Sequence, residues 1–190
     1  MDGMPATASH TVGPFFHLGL DALVVTNLAG SDTPGERIML QGSVVDGDGM
    51  PVSDALIEIW QADSRGVYAP PEDTRSVPGA SGFTGFGRTP TGADGSFTFT
   101  TIKPGPVPGL GNSLQAPHIV VLVFMRGLLK HLVTRMYFPD DPRNEADPIL
   151  ALVPPDRRPT LIAQPLDGDP GVLRWNIILQ GLNETVFFAY

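Results

Sequence analysis

The sequence predicts a mainly β fold: an antiparallel β-sandwich with an irregular N-terminal arm, long Pro/Gly-rich loops and a few short helices. Three observations predict it. Apolar runs are short and rich in Val, Ile, Thr and Phe, the residues that fit a pleated, half-buried surface. They are separated by turn residues, supplied by 22 glycines and 20 prolines in 190 residues. No stretch sustains the 3.6-residue apolar period of a long amphipathic helix.

The elements follow in order. Residues 1–35 read as an arm of small residues with Gly13-Pro14, one apolar patch "LGLDALVV" and the loop "GSDTPGE". "RIMLQGSVV", 37–45, is a strand, stopped by the turn "DGDG", 46–49. "ALIEIWQA", 55–62, is the next strand, with Ala55, Ile57 and Ile59 on one face and Glu58 and Trp60 on the other. Residues 69–82 form a long loop. "GRTPTGADGSFTFTTI" gives two strands joined at Asp94-Gly95, with Phe97 and Phe99 sharing a face. After the Pro/Gly-rich crossing "KPGPVPGLGNSLQAP", a buried strand runs from Ile119, and "LLKHLVTRMYF", 128–138, is its successor. Residues 139–163 hold short helical candidates, "DPILALV" and "DRRPTLIA", broken by prolines. "VLRWNIILQG" and "ETVFFAY" close the chain as an expected hairpin. There is no internal repeat, and one domain over 1–190 is expected.

Composition excludes several functions. A net charge of −8 and a pI near 4.7 oppose binding to nucleic acid or an anionic membrane. The absence of cysteine excludes disulfides, thiolate metal sites and thiol nucleophiles. The N-terminus lacks the basic-then-apolar pattern of a signal peptide, and no apolar run nears the ~20 residues that span a bilayer. A soluble cytoplasmic protein is expected, which makes the sequon "NET", 183–185, a chance match. "GFTGFG", 82–87, has phosphate-loop spelling but no helix after it, and reads as a tight loop.

The histidines are His10, His17, His118 and His131, and the tyrosines Tyr68, Tyr137 and Tyr190. None has His-x-His or His-x3-His spacing. His118 is unusual, because it enters an apolar strand just after a Pro-rich loop. The residue beside it on the same face is Val120. A metal ligand and a neutral imidazole bonded to backbone both satisfy that position. Arg135 lies in the apolar run "LVTRMYF" with Val133 and Tyr137 on its face. It needs an ion-pair partner, an outward position, or a carboxylate to recognise.

The segment "LQGSVVDGDGMPVSDALIEIWQADSRGVY", 40–68, resembles the signature stretch of intradiol ring-cleavage dioxygenases. Its elements stand in order: Leu40, Gly42, Val44, Gly49, Val52, then 57–62 "IEIWQA", then Gly66 and Tyr68. "GRT", 87–89, "TIKPG", 101–105, and "APHI", 116–119, continue it, so the resemblance covers most of residues 35–190. It implies a β-sandwich of a kind that holds non-haem Fe(III) by two tyrosines and two histidines, hard donors suited to a hard cation. By resemblance Tyr68 stands at the first tyrosine ligand and His118 at the first histidine. The second tyrosine position is Val107 and the second histidine position Val120. The arginine that catalytic chains carry three residues before the first histidine is Gln115 here.

With two donors replaced by valine, the resemblance implies a chain that binds no iron, with His118 the surviving half of a duplicated metal site. It also implies an α-type chain paired with a homologous β chain that binds Fe(III) and acts on a small aromatic substrate with O2. The α contribution to that pocket is expected from Thr11, Gly13, Pro14 and Arg135, with Phe15 in place of a tyrosine. Two alternatives stand beside it: a purely structural paralogue that stabilises the β chain, and a self-sufficient dioxygenase with shifted ligands.

Overall fold

The computed structural model describes residues 7–13, 15–16, 18–69, 83–109, 111, 113–139 and 141–189. Strand β1, Arg37–Val45, falls where its alternation places it. The Asp46 side chain accepts from the Asp48 and Met50 amides and closes the turn that follows. β2, Leu56–Trp60, is shorter than the expected 55–62. β3, Phe86–Pro90, and β4, Ser96–Ile102, flank the Asp94-Gly95 turn, and Phe97 and Phe99 are both buried. β5, Val107–Pro108, and β6, Leu114–Gln115, form a small ribbon within the Pro/Gly-rich crossing. β7 is His118–Phe124, and β8 is Leu132–Tyr137 rather than 128–138. Of the loop expected over 69–82, residues 70–82 lie outside the described residues.

The short helices expected over 139–163 are 3-10 turns, Pro142–Ala146, Leu150–Leu152 and Arg158–Leu161, since the prolines leave no room for a longer hydrogen-bonded run. The end of the chain departs from expectation. The expected terminal hairpin is absent among the described residues. β10, Asp169–Arg174, pairs instead with β1 in parallel, as does β11, Ile177–Ile178, further along the same strand. Residues 183–189 form no strand. They are tied down by Thr185 N–H to Ile178 O and Phe188 N–H to Val133 O.

Two sheets result. One is mixed, in the order β11-β1-β10-β9 with β4 on β1, where β9 is Gln164–Leu166. The other is antiparallel, in the order β3-β2-β7-β8. The sandwich is therefore mainly, not wholly, antiparallel. Leu40, Val44, Phe99 and Ile177 from the first sheet meet Ile57, Ile59, Ile119 and Val121 from the second in one core. Gly42 is required in β1, because a Cβ there would stand 2.1 Å from the Trp175 carbonyl oxygen. Gln61 bridges the sheets with its amide, donating to Ile102 O at 2.9 Å and accepting from Thr101 Oγ1 at 2.7 Å.

A second apolar cluster of Tyr137, Leu150, Val153, Leu161 and Ala116 covers one end of the outer face of the second sheet. The arm is only partly separate from the fold. Val25 bridges Arg88, Asn27 bridges Thr100, and Leu28 and Ala29 are buried in the main core.

Candidate functional site: a buried polar cluster and the N-terminal arm

Register sets the site. His118 lies opposite Tyr137, and Val120 lies opposite both Arg135 on β8 and Trp60 on β2. The period of two puts all five on the face of the sheet turned away from the sandwich core. Tyr68 reaches this face by stacking on Trp60, with ring centroids 6.2 Å apart and planes 10° from parallel. The loop carrying it is fixed by Asp63, which accepts from the Arg65 and Val67 amides. Gly66 allows that loop to meet the 105–106 backbone: its φ is +76°, and a Cβ would lie 1.9 Å from Pro106 O. Val107 pairs with Gln115 across the β5–β6 ribbon, and Gln115 Oε1 accepts from Arg135 Nη1 at 2.6 Å. Tyr68, Val107, Gln115, His118 and Val120 thus gather around Trp60 and Arg135.

The electrostatics are those of a closed cluster. His118 is buried, and its Nδ1–H donates to Ala116 O at 2.8 Å, which fixes the tautomer because a carbonyl can only accept. Burial, reinforced by the positive charge of Arg135, lowers its pKa to about 4 against the pull of the Ala116 bond and Asp147. Tyr137 donates to Asp147 Oδ1 at 3.1 Å, and burial with the Asp147 charge raises its phenol above the usual range. Asp147, which the sequence reading passed over, is the hub: it is fully buried and also accepts from the Ala116, Ile149 and Leu150 amides at 2.7–2.9 Å. The one sequence signal for it is an Asp before proline at the end of a short polar run, a common capping spelling.

These residues do not fit a ferric ion held by two phenolates and two imidazoles. Val107 and Val120 offer no donor atom, and Arg135 places a guanidinium on the same face. Among the described residues no three His, Asp or Glu side chains are grouped to hold a metal.

The arm lies elsewhere. Thr11 Oγ1 accepts from the Gly127 amide at 2.8 Å, at the turn between β7 and β8, and Phe16 packs on Phe124 with centroids 5.7 Å apart. Gly13 and Phe15 are exposed, while Pro14 lies outside the described residues. Arg135 lies apart from them on β8, opposite Val120. Val120 lies four residues before the end of β7 at Phe124, and Gly127 stands in the turn beyond that end. Arg126, which the sequence reading missed, directly precedes Gly127; it is exposed and paired with Asp54. Behind the arm a cavity of about 440 Å³ is lined by His10, Val12, Phe124, His131, Val133 and Phe188, at the far end of β7 from His118.

A family model described as Dioxygenase matches residues 13–181, and the chain belongs to that family, in its intradiol ring-cleaving branch. It is 42% identical to the protocatechuate 3,4-dioxygenase alpha chain of Burkholderia cepacia over 99% of both chains. It is 41% identical to the same chain of Pseudomonas putida over 98% of both. To the protocatechuate 3,4-dioxygenase beta chain of B. cepacia it is 36% identical, over 84% of this chain and 67% of that one. Among solved structures, the dioxygenase domain of a carbohydrate-binding fusion from Streptomyces sp. SirexAA-E superimposes with a TM-score of 0.64 at 31% identity, over 86% of this chain and 89% of that one.

Proposed function

We propose that this chain is the iron-free α subunit of a cytoplasmic protocatechuate 3,4-dioxygenase, paired with a homologous β chain that binds non-haem Fe(III). The complex cleaves protocatechuate between its two hydroxylated carbons. Both atoms of O2 enter the product, 3-carboxy-cis,cis-muconate. The observation that carries this reading is the pair of valines, Val107 and Val120, at donor positions of a scaffold otherwise assembled as the family motif requires. Oxygen chemistry belongs to the β chain's iron. This chain's part is to wall the β chain's pocket, orient the substrate and support assembly.

The arm supports that part. Thr11 is fixed to the Gly127 turn, Gly13 beside it is exposed, and Phe15 is 76% exposed, available to a neighbouring chain; Pro14 belongs to the same proposed contribution. Arg126, which precedes the Gly127 amide that holds Thr11, is the guanidinium we assign to the carboxylate of an aromatic acid. Arg135, buried at the other cluster, is not assigned that role.

The experiment is iron content and visible absorption of this chain expressed alone, then with its β partner. The reading expects a colourless, iron-free lone chain, and the tyrosinate-to-iron band with ring cleavage only in the pair. Iron in the lone chain overturns it. The purely structural alternative is decided by Arg126→Ala in the assembled pair: a raised KM for protocatechuate supports the pocket role, and an unchanged KM supports a scaffold only.

A further inference from the structure

Two donors are missing from the duplicated metal site, but loss of donors is not all that the structure shows there. Arg135 leaves β8 directly opposite Val120, and its Nη1 meets Gln115 at 2.6 Å. Gln115 ends β6, three residues before His118. To reach it from the level of Val120, the arginine side chain must lie along the sheet face past His118 and Tyr137, the pair next in register. That path crosses the space between positions 118 and 120, where a metal bridging those two residues would sit. The charge of Arg135 is registered at both neighbours, lowering the pKa of His118 and opposing the rise at Tyr137.

We infer that Arg135 plugs the vestigial site, its stem and guanidinium occupying both the volume and the positive charge that a metal ion would bring to the His118 face. The inference rests on the reading of this chain as iron-free and goes one step past it. If lost donors alone closed the site, restoring them would reopen it. If Arg135 closes it as well, restored donors are not enough. Guanidinium keeps its proton at any ordinary pH, so it cannot yield to an arriving cation as a lysine or histidine can. Its Coulomb repulsion of a di- or trivalent ion is strongest where water is excluded.

The test uses the assembled complex with its β partner. One variant carries Val107→Tyr and Val120→His; a second adds Arg135→Ala. Iron per complex and the tyrosinate-to-iron band are read against the unmodified pair. The expected result is no iron beyond the β chain's in the first variant and one further ferric ion per α chain in the second. A smaller change guards against failure of the larger ones to assemble. Val120→His alone sets two imidazoles on one strand face, and zinc binding is compared with and without Arg135→Ala. Removal of the arginine should tighten zinc binding by at least about tenfold. Further iron with Arg135 in place, no further iron without it, or equal zinc affinities would each overturn the plug. Failure of the underlying reading looks different: it is iron on the unmodified α chain, seen before any substitution is made.

Discussion

Asp147 has no exposed surface, yet it accepts hydrogen bonds from three backbone amides and one phenol. The Ala116, Leu150 and Tyr137 donors are buried with it, so Asp147→Ala strands several donors at once. Unfolding free energy should fall by about 3 kcal/mol, the scale of a buried charged acceptor lost from its donors. Urea denaturation of the complex reads this, and an unchanged midpoint would remove Asp147 as the hub. His118 gives a pH signature. In the unfolded chain its imidazole titrates near 6.5, in the fold near 4, so between those values the unfolded chain takes up a proton that the fold refuses. Its contribution is fully present above pH 6.5 and declines as pH falls toward 4, by ~3 kcal/mol in all. An NMR titration of the His118 ring with a midpoint near 6 would contradict this.

Elements here are spaced by glycine as much as held by apolar contact. Gly42→Ala puts a methyl group against the Trp175 carbonyl and the Phe97 ring, 2.1 and 2.5 Å away, with backbone on one side unable to yield. The substitution should cost at least about 2 kcal/mol and loosen β10 and β11 from β1, seen as faster amide exchange along 172–178. That glycine belongs to the motif the sequence displays, and the motif proves largely architectural: Leu40, Val44 and Val52 are core, and Gly49 makes a turn at φ +77°. Alternation of Phe97 with Phe99, or of His118 with Val120, is a local property and was readable residue by residue. The partner of 169–178 was not, because nothing within those ten residues specifies pairing with a strand more than a hundred positions earlier. The two-residue strands β5 and β6 have too few residues to show a period, and the 3-10 turns have none of the 3.6-residue kind. In the site, face-sharing of His118 with Val120, and of Arg135 with Tyr137, followed from the period, while the joining of the two pairs on one face depends on the register of β7 with β8. The reach of Arg135 to Gln115 and the meeting of Thr11 with Gly127 depend on loop paths that local spelling does not encode.

At the scale of the whole molecule, the arm concentrates exposed apolar surface on a chain of net charge −8. Phe15, Leu18 and Leu23 are each more than half exposed within nine residues. Such a patch asks for cover. The lone chain should self-associate at micromolar concentration and become monodisperse with its β partner, as light scattering on both preparations would show; a monodisperse lone chain would count against the arm as an interface. Unfolding of the pair should also shift upward with protein concentration, by mass action. The placement of β1 has a different reach. Ser43 meets Asn176 across 133 residues of sequence, so one edge of β1 waits for almost the whole chain to be synthesised before it is covered. During translation Leu40 and Val44 sit in a strand paired on one side alone, by β4. A fragment that stops before residue 169 therefore leaves one edge of β1 open, with Leu40 and Val44 short of their cover.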